Sequence, residues 1–221
     1  MRPVWLLLAM ATLTVGVYGQ TDPAPASVLQ VDFSNPGISP PRWTLVLHPD
    51  GTGHFRTDRD KPSPDEAVPA GLPDVNRDIQ VSARFAEYVF QMAKRKNMFN
   101  QECETNQKLA FQGWKTFTYI GPEGKGSCRF NYAKDKDIQA LGDSLVAVAE
   151  TILEGARLES LLQHDRLGLD KEMEYLGEAA ADGRIRQICT IRGILERLED
   201  DPDVLDRVRK RARALLAQSE K

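Results

Sequence analysis

Gly142-Asp143-Ser144-Leu145 is the stretch of this chain that most invites a chemical reading, because it offers a serine nucleophile. A serine hydroxyl is a poor nucleophile unless a base lies within hydrogen-bond reach and a third group orients that base. The hydroxyl must also be presented at a turn, as where a strand runs into a helix. Neither condition is visible around Ser144. Ile138, Leu141, Leu145, Val148 and Ile152 step by three or four residues through the string, as one face of a helix does. The only histidine downstream is His164, and the chain contains no Asp-x-x-His. Ser144 is therefore expected inside a helix and outside any catalytic group.

The other histidines are His48 and His54, which flank His-Pro-Asp-Gly-Thr-Gly-His. A transition metal would need a third ligand, and none is marked nearby. A calcium loop would need Asp and Glu where His48 and Arg59 stand. His164-Asp165 lacks the further His and Asp positions of a metal phosphohydrolase. No catalytic residue, no metal and no cofactor is expected. The basic run Arg207 to Arg213 shares its segment with the apolar stripe Leu205, Val208, Ala212, Leu215 and Leu216. Acidic Glu199, Asp200, Asp201 and Asp203 precede it, so it reads as a solvated helix face. A formal charge of -3 over 221 residues also argues against a nucleic-acid footprint.

The N-terminus has one cation, Arg2, followed by an uncharged apolar run from Val4 to Val17. That run is too short to span a bilayer and reads as a cleaved secretory leader, residues 1–19, with Val17 and Gly19 before the cut. The expected product begins at Gln20, is soluble, has no membrane span, and is secreted or periplasmic. Such a compartment permits a disulfide among the three cysteines.

Residues 20–41, rich in Pro and Ser, read as an extended arm. An α+β domain is expected over 42–165, and a helical C-terminal region over 169–218. Trp43, Leu45 and Leu47 alternate with Thr44, Val46 and His48 before Asp50-Gly51, a hairpin signal. Residues 58–77 carry many prolines and read as a surface loop. Phe85, Val89, Met92 and Ala93 mark a helix capped by Ser82. Three strand-like runs follow, Lys108–Gln112, Trp114–Ile120 and Ser127–Tyr132, which predict an antiparallel meander. Its aromatic face would hold Leu109, Phe111, Phe117, Tyr119, Cys128, Phe130 and Tyr132. Its polar face would hold Lys108, Thr116, Thr118, Arg129 and Asn131. The fold class predicted is α+β, a mainly antiparallel sheet (hairpin plus three-stranded meander) with helices on one face. Further helices are expected near 170–181, ended by Gly183, then over 184–198, and over 202–217 with Asp201 as cap.

Cys103 precedes the meander, and Cys128 lies on its aromatic face. The first run enters on that side, so a Cys103–Cys128 bridge is expected, with Cys189 left as a small apolar core residue.

The order of hairpin, helix, strands and helix around Trp-Thr-Leu-Val-Leu-His-Pro-Asp-Gly-Thr-Gly resembles uncharacterised exported bacterial proteins. That resemblance implies no activity and transfers no functional residue. Asp201 to Ala217 is similar to one helix of an α-helical solenoid repeat, but no second copy is found. Gly142 to Leu145 shares its letters with an esterase and lipase family whose serine follows a strand, a context this chain lacks.

Thr116, Thr118, Arg129 and Asn131 form the candidate binding face. The expected function is that of an exported non-catalytic protein, which binds or stabilises an envelope or extracellular protein or polymer. The alternative is a hydrolase whose site is assembled from scattered carboxylates or histidines.

Overall fold

The computed structural model describes residues 26–58 and 74–219. The leader at 1–19 lies outside the described residues, as does most of the proline-rich loop. The chain is α+β, as its periodicities require. β1 (Val28–Ser34), β2 (Arg42–Leu47), β3 (Thr52–Asp58) and β4 (Asn76–Gln80) come first. α1 (Ala83–Arg95), β5 (Trp114–Gly121), β6 (Gly124–Phe130) and α2 (Lys136–His164) follow. α3 (Leu169–Ala181), α4 (Arg192–Asp200) and α5 (Asp206–Ser219) complete it. All neighbouring strands are antiparallel, in a six-stranded sheet of order β4-β3-β2-β1-β5-β6.

Two expectations about strands are corrected. Residues 20–41 are not all an extended arm: Val28–Ser34 is β1, at the centre of the sheet between β2 and β5. Leu29, Val31 and Phe33 alternate there with Gln30, Asp32 and Ser34, and their burial holds the strand in place. Lys108–Gln112 is not a strand, so the three-stranded meander is a β5–β6 hairpin completed by β1. Leu109 and Phe111 are 44% and 50% exposed, and no apolar face takes them in. α3 lies where predicted, but the last two helices begin later than predicted, at Arg192 and Asp206. Residues 188–191 form a short 3-10 turn before α4. Asp201 accepts from the Asp203 backbone N–H at 2.9 Å, closing a turn ahead of α5 rather than capping it.

One face of the sheet is apolar. Leu29, Val31, Leu45, Leu47, Phe55, Phe117, Tyr119 and Phe130 are all buried there against α1 and the first half of α2. Ser82 caps α1 by accepting from the Phe85 N–H at 3.3 Å. Lys96, just past α1, pairs with Asp135 at 2.7 Å and Asp137 at 2.8 Å, which joins the end of α1 to the start of α2. The next three residues, Asn97, Met98 and Phe99, have φ of 51°, 53° and 61°. Such left-handed backbone is costly without glycine. Here Phe99 is fully buried with its ring 5.1 Å from Phe117, and this packing offsets the cost.

A second apolar cluster joins the far half of α2 (Leu158, Leu162) to α3, the 188–191 turn, α4 and α5. α2 therefore serves both clusters. Gly183 ends the α3 segment with φ of 74°, as its position predicts. No helix among the described residues is long and apolar enough to cross a membrane.

Candidate functional site

The opposite face of the sheet is polar, and strand register orders it into rows. Arg129, Thr116, Asp32, Thr44, Arg56 and Asn76 face one another across all six strands. Ser127, Thr118, Gln30, Val46, His54 and Asp78 form the next row. Trp114, Ser34, Arg42 and Asp58 form a shorter one. Among the described residues both apolar clusters are built without these side chains, and all of them but the buried Thr44 keep some exposure.

Hydrogen bonds fix much of it. The Asp32 carboxylate accepts from Thr44 Oγ1 at 2.9 Å and from Gln30 Nε2 at 2.8 Å. Thr118 Oγ1 and Ser127 Oγ lie 3.1 Å apart. Arg56 pairs with Asp58 at 3.1 Å. The Arg129 guanidinium stacks 4.4 Å above the Trp114 ring, and Phe111 meets that ring edge-on at 6.1 Å. Arg129 forms no ion pair among the described residues, so its N–H edges stay open to a ligand. Asp32, Arg42, Asp58, Trp114, Thr116 and Arg129 border a shallow depression of about 160 Å³.

The structure brings Thr116, Thr118 and Arg129 together as expected, but not Asn131. Asn131 is 8% exposed and lies just past the end of β6. Its Oδ1 accepts from the Gln112 N–H at 2.7 Å and its Nδ2 donates to the Ala110 carbonyl at 3.2 Å. It is a clamp on the 104–113 segment rather than part of the face. Asp32, Arg42 and Trp114 were missed by sequence reasoning. Alternation in Val28–Ser34 was the available signal for Asp32.

Cys103 and Cys128 are bonded, with Cα atoms 5.7 Å apart. Beside the bridge, Lys115 is 2% exposed on the apolar face. Its Nζ donates to the Asn131 carbonyl at 2.9 Å and sits 5.5 Å from the Phe130 ring centre. Burial pushes this ammonium below the usual lysine range.

Ser144 is buried within α2. Its Oγ donates to the Ala140 carbonyl at 2.8 Å and accepts from Arg186 at 3.2 Å, with no histidine in contact. The Asp50 carboxylate accepts from both Thr52 N and Thr52 Oγ1, and so is spent on the β2–β3 turn. Among the described residues no cluster of three His, Cys, Asp or Glu could hold a metal ion. His54 lies 2.8 Å from Asp78 Oδ1 through Nδ1 and 2.7 Å from Asn76 Oδ1 through Nε2. These two contacts, Asp78 first, hold its pKa above the ordinary histidine value. Cys189 is a half-buried thiol whose Sγ lies 3.6 Å from Gln187 Oε1, and burial pushes its pKa up.

The basic run is tied to its own chain. Arg207 and Arg211 meet Asp170 of α3 at 2.7 and 2.6 Å. Arg213 meets Glu199 of α4 at 2.7 Å, and Arg209 and Lys210 meet Asp206 at 3.2 and 2.8 Å.

No family model and no curated protein matches the chain. The arrangement itself therefore carries the functional argument. A broad polar sheet face with a stacked Arg–Trp platform can bind. Among the described residues it offers no nucleophile beside an oriented base.

Proposed function

We propose that this is an exported, non-catalytic binding protein that holds an envelope or extracellular protein or polymer on the open face of its sheet. The observation that carries the reading is the Arg129–Trp114 stack beside the depression, set in an ordered polar face six strands wide. A planar guanidinium on an indole is preorganised, so little side-chain entropy is lost when a partner hydrogen-bonds its edge. Export is supported by the apolar leader in the sequence and by the Cys103–Cys128 bridge, which belongs in an oxidising compartment. The hydrolase alternative leans on His54 and Asp78. Both ring nitrogens of His54 are already engaged, which leaves it poorly placed as a general base.

A photo-crosslinking side chain in place of Thr116 tests the face, using protein exported by its own host. The expected result is a discrete adduct that Arg129→Ala or Trp114→Ala diminishes. Labelling no different from that of the same side chain at Lys171 on α3 overturns the proposal. Mass spectrometry of the exported protein should find a chain beginning at Gln20.

A further inference from the structure

Glu154 is 5% exposed, an unusual place for a carboxylate. It sits on α2 at the level where one apolar cluster gives way to the other, between Leu153 and Ala156 of the first and Leu158 of the second. Across the interface, α3 presents Glu172, whose side chain is 14% exposed. Glu154 Oε2 and Glu172 Oε1 are both buried, and neither has a hydrogen-bond partner. The nearest cation is Arg157, at 3.7 Å from the first and 3.6 Å from the second, too far for a hydrogen bond to either. The charged groups acting on Glu154 are Glu172 of α3 and, on its own helix, Arg157 and Glu150. Glu150 is itself a carboxyl destabilised by burial. One half-exposed guanidinium thus stands against three carboxyl groups.

Two ionised carboxylates cannot face each other in such a place, because each is an acceptor only. A single proton between them turns the repulsion into a hydrogen bond. We propose that Glu154 and Glu172 share one proton across the α2–α3 interface, and that its loss loosens α3 from α2. This makes the C-terminal helical layer a proton-responsive element, independent of the open sheet face. What α3 covers there is apolar: Leu169, Met173, Leu176 and Ala179 are fully buried in the second cluster.

Burial, with the Glu172 carboxyl close by, pushes the Glu154 carboxyl up to about 8 from an ordinary 4.5. Its folded pKa lies above its unfolded one. The stabilisation is therefore complete below 4.5 and is lost as pH rises through about 8. Between those values the folded chain holds a proton that the unfolded chain has released.

The test follows unfolding by denaturant from about pH 5 to about pH 9 in the full mature chain, comparing wild type with Glu154→Gln and Glu172→Gln. A glutamine amide donates permanently to the remaining carboxylate, so it replaces the shared proton. The wild type should lose stability with a slope larger than either variant's by about one proton over that window. Hydrogen exchange, corrected for intrinsic rates, should show α3 losing more protection than α1 at the alkaline end in wild type. Equal slopes in wild type and variants overturn the proposal, as does equal loss of protection in α1 and α3. If one variant fails to fold, the other decides. If both fail, the wild type decides alone, and a stability independent of pH in this window refutes the shared proton.

Discussion

Lys115 shows how much a single buried charge can organise. Its ammonium lies under the apolar face of the sheet and reaches the carbonyls of Gly113 and Asn131, at 3.4 and 2.9 Å. Those carbonyls belong to the segment entering β5 and the segment leaving β6. Lys115→Ala would remove both bonds and leave a void among aromatic rings. We expect a loss of about 2–4 kcal/mol, measured by chemical denaturation. His54 gives a second residue-scale expectation. Its proton is held mainly by Asp78, so its folded pKa lies above the ordinary 6.5. Whatever stability the contact adds is present below 6.5 and fades as pH rises through the raised value. NMR titration should place His54 above 6.5, and Asp78→Asn should bring it back toward that value. A wild-type His54 titrating at or below 6.5 would contradict the geometry.

At the scale of elements, α2 is the member on which the rest depends. It runs from Lys136 to His164 and packs on the sheet with one half and on α3 and α4 with the other. Gly155 lies where the 188–191 turn crosses it: a Cβ there would run into Ile191 Cγ2, whereas one at Gly177 of α3 meets nothing within 4 Å. Gly155→Ala should therefore cost about 1–3 kcal/mol. Gly177→Ala should stabilise by about 0.5–1 kcal/mol through helix propensity. Thermal unfolding of the two variants distinguishes close packing from propensity. The same elements show what a sequence exposes. α2 was legible because Ile138, Leu141, Leu145, Val148 and Ile152 keep one period. α1 was legible from its stripe and Ser82 cap. β1 was not, because prolines on either side hide a short alternating run whose pairing is decided by distant strands. Lys108–Gln112 misled for the opposite reason: it alternates like a strand, but Asn131, just past the end of β6, clamps it as an irregular segment. Three of the four candidate face residues were legible because Thr116, Thr118 and Arg129 lie on true strands. Asn131 lies just beyond one, where alternation no longer governs direction.

For the whole molecule, the Cys103–Cys128 bridge links the long connection after α1 to the edge strand β6. Reduction, or a Cys103→Ser and Cys128→Ser double variant, should lower global stability by about 3 kcal/mol for a loop of this length. Denaturation in the presence and absence of reductant checks it, and matching midpoints would show that the bridge constrains little. The strand order carries a further consequence. Among the described residues β1 is both the first strand and one of the two central strands of the sheet. Its β2 partner follows at once, but its β5 partner arrives much later: Val28 lies opposite Ile120. A chain delivered N-terminus first would present four of the six strands long before β5 and β6 could dock. Contacts so distant in sequence slow folding. Meanwhile the vacant side of β1 is a raw hydrogen-bonding edge, the kind that captures other copies. The topology thus sets an interval, from the emergence of β1 to that of β5, in which each new molecule must be kept apart from its neighbours.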